Sequence, residues 1–308
     1  MGRYQEVSRT VFGVFREVTP LVQGLSLDEA FLDVTASQHL PGGAVGIARG
    51  IKHLITERTG LTASVGVAPN KLVAKIASDL MKPDGLTVVE PERVHAVLDP
   101  LSVRRLPGLG RKTGARVEAA GIGTLGELRS APDAVLWPLF GRYTALMRER
   151  AAGVDERPVL PEVEEKSLSA EETFEHDVGD PRGLRRHLAR LADLAASRLR
   201  ARGLMAGCIG VKIRRGDFAT FTRQRAVTPP TAEARVVAGV ATELLARWLG
   251  ANPGAKLRLL GVVLTELTPA SQLGLFEETR RAGRLDAALD EARARFGSRA
   301  LRRGNTIE

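Results

Sequence analysis

Along the first 25 residues, Val7, Val11, Val14, Phe15 and Val18 recur at three- and four-residue intervals, which predicts an amphipathic helix stopped by Thr19 and Pro20. The next segment, LVQGLSLDEAFLDV from Leu21 to Val34, has apolar residues on both sides of an acidic pair and predicts a strand, a tight turn and a second strand. A helix is predicted over 44–58 and a buried strand over 61–67, where LTASVGV is rich in small and β-branched residues. A further helix runs from Lys71 to Met81 and must end before Pro83, because the residue preceding proline disfavours the α region. Residues 1–92 therefore read as an α/β unit.

Residues 93–155 are helical with glycine punctuation, and Thr124 with Glu127 forms a candidate capping box. The stretch 156–165, with PVLPEVEE at its core, breaks that pattern with two prolines and a run of acids, as an exposed linker does. Beyond it the order is a strand at 169–175, a helix at 182–203, strands at 207–214 and 218–227, a helix at 231–249 and a strand at 256–267. This β-α-β-β-α-β order over 166–268 matches the split βαβ plan, with two helices on one sheet face and the other face open to a partner. A tail, 269–308, carries the short cluster QLGLF and the charged amphipathic stretch RLDAALDEARARF. The fold class expected is α+β with several domains.

Composition narrows the setting. The chain has 308 residues, 44% of them hydrophobic, which is enough for two or more cores. It contains no apolar stretch long enough to span a membrane, and its charged opening is unlike a secretory signal. The single cysteine, Cys208, forms no intrachain disulfide and suits a reducing compartment, so the cytoplasm is expected. A net charge of +9 and a pI near 10.3 favour a polyanionic partner.

Four places carry candidate chemistry. Asp28 and Glu29 are adjacent carboxylates at a predicted turn, with Asp33 four residues beyond Glu29. Such a pair either binds a hard divalent ion or is an ordinary solvated acidic turn. Lys71 and Lys75 lie on successive turns of one helix side and Lys82 at its end, so they meet phosphates or form a solvated face. In LPGLGRKTG, the turn Pro107, Gly108, Leu109 and Gly110 presents backbone N–H groups and is followed by Arg111 and Lys112. That arrangement holds a nucleic-acid backbone phosphate without reading sequence, or simply joins two helices. Finally, RRGDFATFTRQRAV places Arg214 and Arg215 at a hairpin turn, with Arg223 and Arg225 on one strand face; this is a phosphate-tracking surface or an ordinary charged sheet.

SLDEAFLDVT, LTASVGVAPNKLVAKIASDLMKPDG, VRRLPGLGRKTG and QLGLF, in this order over nearly the whole chain, resemble the Y-family translesion DNA polymerases of the bacterial DNA polymerase IV branch. The resemblance implies a partial palm over 1–92, a helix-hairpin-helix thumb over 93–155, a little finger over 166–268 and a clamp-binding tail over 269–308. It implies Asp28 as a metal-binding aspartate, Glu29 as the adjacent catalytic, metal-coordinating glutamate and Lys82 as a contact to the incoming triphosphate. Two Mg2+ ions, primer-template DNA, a dNTP and the replication sliding clamp are the implied partners, the clamp being met by Gln272, Leu273, Leu275 and Phe276. A monomer without membrane attachment is expected.

The family pattern also includes a first palm strand with an Asp-x-Asp-x-Phe segment and a fingers domain, both preceding the position of Asp28. Neither is seen in this sequence. An internal start within a longer frame, a split gene product and a noncatalytic protein that binds damaged DNA and the clamp are the three readings of that departure. Template-directed synthesis across damaged DNA is the expected function, with the noncatalytic binding protein as its alternative.

Overall fold

Helix α1 (Gly2–Val18) follows the predicted stripe and buries Val14 and Phe15. It leads into an antiparallel ribbon of β1 (Val22–Gly24) and β2 (Ala30–Leu32), and then into α2 (Gly43–Thr59). Ile51 and Ile55 of α2 close one apolar cluster with Val14, Phe15 and Val22. The computed structural model describes residues 2–39, 41–161, 165–270, 278–297 and 301, the side chains of 278–284 excepted. Two compact units result, Met1–Val163 and Glu164–Glu308.

A β-α-β element completes the front of the first unit: β3 (Val65–Val67), α3 (Lys71–Leu80) and β4 (Leu86–Val88), with β3 and β4 parallel. The strand predicted over 61–67 is confined to 65–67, because its partner β4 begins at Leu86 opposite Val65. Helix α3 is started by Asn70, whose Oδ1 accepts from Val73 N at 3.0 Å while its Nδ2 donates to Gly153 O at 2.7 Å. Its apolar face, Leu72, Val73, Ile76 and Ala77, enters a second cluster with Leu98, Val103, Val117, Leu125 and Leu136.

That cluster is built by α4 (Val94–Leu98), α5 (Arg111–Ala119), α6 (Leu125–Ser130), α7 (Asp133–Phe140) and α8 (Thr144–Ala151). The predicted capping box is formed: Thr124 Oγ1 accepts from Glu127 N at 3.2 Å and Glu127 Oε2 accepts from Thr124 N at 2.9 Å. One expectation is corrected. The arm before Pro107 is a single 3₁₀ turn, Val103–Arg105, rather than an α-helix. Ser102 bridges Thr124 and Val103 N donates to Gly123 O at 2.8 Å, so too few residues separate this pairing from Pro107 for an α-helix.

The second unit runs β5 (Ser167–Val178), α9 (Pro181–Arg200), β6 (Leu204–Arg215), β7 (Thr220–Thr231), α10 (Ala234–Ala251) and β8 (Leu257–Pro269). The strand order is β5-β8-β6-β7, antiparallel throughout. Each β-α-β crossover steps over one strand: β5-α9-β6 encloses β8, and β7-α10-β8 encloses β6. Leu184, Leu188 and Leu191 of α9 and Val237, Leu245 and Trp248 of α10 pack on Ile209, Val211, Ile213, Leu260, Val262 and Leu264. The alternate positions, among them Cys208, Gly210, Lys212 and Arg214 with Gly261 and Val263, form the opposite face. There Gly261 lets Glu171 reach Lys212 at 2.8 Å, since a Cβ on Gly261 would lie 2.7 Å from Glu171 Cγ.

A last helix, α11 (Glu278–Phe296), joins this unit through ion pairs of Arg200 with Asp286 at 3.1 Å and Asp290 at 2.7 Å, and of Arg293 with Asp193 at 2.7 Å. Among the described residues no helix is long and apolar enough to cross a membrane.

Candidate catalytic hairpin and nucleic-acid surfaces

Asp28 and Glu29 sit on the tip joining β1 to β2, where Leu25 N donates to Glu29 O at 2.8 Å and closes the turn. Ser26 Oγ donates to the Asp28 carboxylate, and Asp28 N donates back to Ser26 Oγ at 3.3 Å. These bonds, then one from the Tyr4 hydroxyl, hold the Asp28 carboxyl below its ordinary pKa. The same bond raises the Tyr4 phenol.

Helix α1 steadies this tip along one face. Tyr4 reaches Asp28, Ser8 Oγ donates to Leu27 O at 2.5 Å, and the Phe12 ring lies where a Cβ on Gly24 would come within 3.2 Å. Residues four apart on a helix share a face, which is why Tyr4, Ser8 and Phe12 act together.

Helix α3 lays a chain of alternating charge beside the tip. Glu29 meets Lys75 at 2.6 Å, Lys75 meets Asp79 at 3.6 Å, and Asp79 meets Lys82 at 2.5 Å. Lys82 in turn acts electrostatically on Asp28. Burial works against the charge on Lys75, yet Glu29 and Asp79 outweigh it and raise its pKa. The turn carrying Lys82 is braced by Lys52, which donates to Ala63 O at 2.6 Å and Asp84 O at 2.8 Å and pairs with the Asp84 carboxylate.

Six sequence candidates thus divide. Asp28, Glu29, Lys75 and Lys82 come together, whereas Lys71 turns to Gln23 Oε1 at 3.0 Å and Pro158 O at 2.6 Å. Asp33 stands apart as well, its carboxylate accepting from Thr35 N at 2.9 Å to cap a short turn. Asp79, Tyr4 and Ser8 were missed by the sequence reading. Asp79 had a detectable signal, since it lies four residues after Lys75 and three before Lys82.

At the second candidate, Gly108 adopts a φ of +86°, a region open to glycine, and Gly110 is the N-cap of α5. Leu109 is buried and anchors the turn, while Arg111 and Lys112 are exposed. Arg150 lies behind it, its Nη1 3.2 Å from where a Cβ on Gly108 would stand. Burial lowers the Arg150 pKa, and its Nε has no hydrogen-bond partner among the described residues.

In the second unit, Arg223 and Arg225 do share a strand face, as expected. They pair in register with Val211 and Ile209, so that face is the helix-covered one, and Arg225 meets Glu243 of α10 at 2.6 Å. The covering helices are therefore on their side of the sheet, and the two arginines lie on its edge strand, β7. Arg214 is on the open face, its Nε donating to Thr220 Oγ1 at 2.8 Å, and Arg215 pairs with Asp217 at the hairpin tip. Gln272, Leu273, Leu275 and Phe276 lie outside the described residues.

Known proteins match both units. Residues 1–79 match the impB/mucB/samB family, and residues 165–275 match the impB/mucB/samB family C-terminal domain. A DNA polymerase IV of Desulfatibacillum aliphaticivorans is 39% identical over 303 residues, covering 96% of this chain and 76% of that protein. A DNA polymerase IV of Alkalilimnicola ehrlichii is 42% identical over 278 residues, covering 89% and 78%. Among solved structures, a Y-family DNA polymerase chimera of Dbh and Dpo4 superposes with a TM-score of 0.79 at 25% identity, covering 87% of this chain and 77% of that one. A ternary complex of Dbh matches at a TM-score of 0.60 and 25% identity, over 85% and 77%. Fold and relatives together define a DNA-directed DNA polymerase, a template-reading nucleotidyltransferase of the error-prone kind. The chain belongs to the impB/mucB/samB family, in the DNA polymerase IV branch of the Y-family polymerases.

Proposed function

We propose that this chain extends a primer across damaged template DNA and that the acidic hairpin is its reacting centre. The observation carrying this reading is the run Glu29, Lys75, Asp79 and Lys82, which ends beside Asp28 and sets two carboxylates and a cation at one exposed tip. Mg2+ takes one or two carboxylates and completes its shell with water and phosphate oxygens, so the Asp28 and Glu29 oxygens fit it. When bound, the ion polarises phosphoryl oxygens and neutralises charge developing on them. The bonds from Ser26 and Tyr4 favour the ionised form of Asp28, and Lys75 holds Glu29 in place. Lys82, tied to Asp79, is the group to meet the triphosphate of the incoming dNTP. The primer 3′-oxygen bonds to the α-phosphorus as its proton passes to solvent, the bond from that phosphorus to the oxygen bridging the α- and β-phosphates breaks, and pyrophosphate leaves. Extension of a labelled primer past an abasic site, with Mg2+ and four dNTPs, tests the proposal. Failure on undamaged template as well would leave DNA and clamp binding as the role of the chain.

Residues 1–92 serve in this reading as palm, 93–155 as thumb and 166–268 as little finger, in a cytoplasmic monomer. Pro107 to Gly110, with Arg111 and Lys112, holds a backbone phosphate of primer-template DNA. Replacing Arg111 and Lys112 together with alanine is expected to lower the slope of log affinity against log salt by about 1.8, at roughly 0.9 per phosphate contact. An unchanged slope in a salt titration would remove these two residues from the interface. The peptide Gln272 to Phe276 is assigned to the sliding clamp. Deleting Leu275 and Phe276 should abolish co-elution with the clamp, and retained co-elution would reject that assignment.

A further inference from the structure

The tip of the β6-β7 hairpin, Arg215-Gly216-Asp217-Phe218-Ala219, is fixed from several directions. Arg215 N donates to Ala219 O at 3.0 Å, Phe218 N to Arg215 O at 3.0 Å, and Ala219 N to Asp217 Oδ1 at 3.0 Å. Gly216 is pressed against Asp177, where a Cβ would lie 2.1 Å from Oδ2. Asp177 also pairs with Arg258, whose guanidinium stands 5.8 Å from the centre of the Phe218 ring.

The product of this bracing is an aromatic residue at a φ of +64° with 67% of its surface exposed. Both features run against folding: a side chain at positive φ is strained, and an exposed ring gives up burial. Glycine would take the same backbone conformation without penalty. The tip around the ring is polar: the Arg258 guanidinium faces it, and Arg215, Asp217 and Thr220 flank it in the chain, so it is no part of an apolar patch of the size that protein partners cover. An exposed ring beside the Arg258 guanidinium matches one flat, anion-linked partner, an unstacked nucleobase. Arg214, which donates to Thr220 rather than to a carboxylate, is placed to meet the adjoining phosphate.

We propose that Phe218 is a stacking platform for an unpaired base of single-stranded template DNA. This rests on the reading of the chain as a DNA polymerase, and the experiment separates the two. Full-length chain is titrated by fluorescence anisotropy with a single strand, an abasic single strand of equal length, and a blunt duplex. Phe218→Gly keeps the positive φ, so its melting temperature should equal or exceed that of the wild type. It should nevertheless bind the single strand about tenfold more weakly, while the abasic strand and the blunt duplex stay within about twofold. Phe218→Trp should retain the affinity, with indole fluorescence quenched by the normal strand and not by the abasic one. A folded Phe218→Gly chain that binds the single strand like the wild type overturns the platform and leaves the polymerase reading intact. Equal losses on all three DNAs also overturn it, in favour of a general backbone contact. A wild-type chain that binds none of the three overturns both.

Discussion

Asp28→Ala and Glu29→Ala each cut primer extension at least ~100-fold, while the affinity for primer-template DNA stays within about twofold. A 100-fold loss corresponds to about 2.7 kcal/mol of transition-state stabilisation, a modest demand on a carboxylate that holds a divalent ion. Removing Asp28 leaves Ser26 and Tyr4 facing nothing they can bind as an anion. Removing Glu29 leaves Lys75 with Asp79 alone, 3.6 Å away. DNA affinity should be spared because the cations proposed to hold DNA, Arg111 and Lys112 among them, are elsewhere in the chain. Asp33→Ala is the discriminating control. It removes a third carboxylate from the same short segment, but one that caps the turn at Thr35, so extension per folded molecule should be unchanged. If Asp33→Ala lowers extension as far as the other two, the hairpin tip is not the reacting centre. Chelation of Mg2+ should abolish extension by the wild type, and extension that persists in chelator would sink the metal assignment.

The helices were legible because their signals are local. The stripe Val7 to Val18, the stop before Pro83 and the Thr124–Glu127 box all lie within a few turns of chain, and each is formed as read. The acidic hairpin was equally visible, since its two carboxylates are adjacent in sequence. What escaped depends on pairing between distant segments. The order β-α-β-β-α-β could be read, yet which strand each crossover encloses is decided by register over the whole sheet. For the same reason period-two alternation put Arg223 and Arg225 on one face without saying which face the helices cover. Tyr4 and Ser8 are separated from the hairpin by a helix and a turn, and only the packing of α1 on that ribbon brings them to it. The length of the strand before α3 was overread because a run of strand-forming residues is no longer than the partner it finds.

Gly66→Ala destabilises the first unit by about 3 kcal/mol, a large share of the stability of an ordinary domain. A methyl group at Gly66 would stand 2.1 Å from the carbonyl oxygen of Ala74 and 2.6 Å from the amide nitrogen of Ser78. Both are backbone atoms of α3, so no side-chain rotation relieves the overlap and the helix must move off β3. That helix carries Leu72, Val73, Ile76 and Ala77 into the second apolar cluster, so its displacement loosens the core as well as the strand contact. It also carries Lys75 and Asp79 and leads to Lys82, so the charges beside Glu29 are displaced with it. Gly50→Ala provides the contrast: Gly50 lies in α2 with open space where its Cβ would go. The same substitution there should stabilise the unit by about 0.5–1 kcal/mol, because alanine is the better helix former. Hydrogen exchange along a urea series reads the two units separately and checks both signs. Gly66→Ala should lower the midpoint for peptides of 1–163 and leave that of 165–270 unmoved. A Gly66→Ala midpoint equal to the wild type would mean that α3 does not seat on β3, and the arrangement of Lys75, Asp79 and Lys82 beside the acidic hairpin would fall with it.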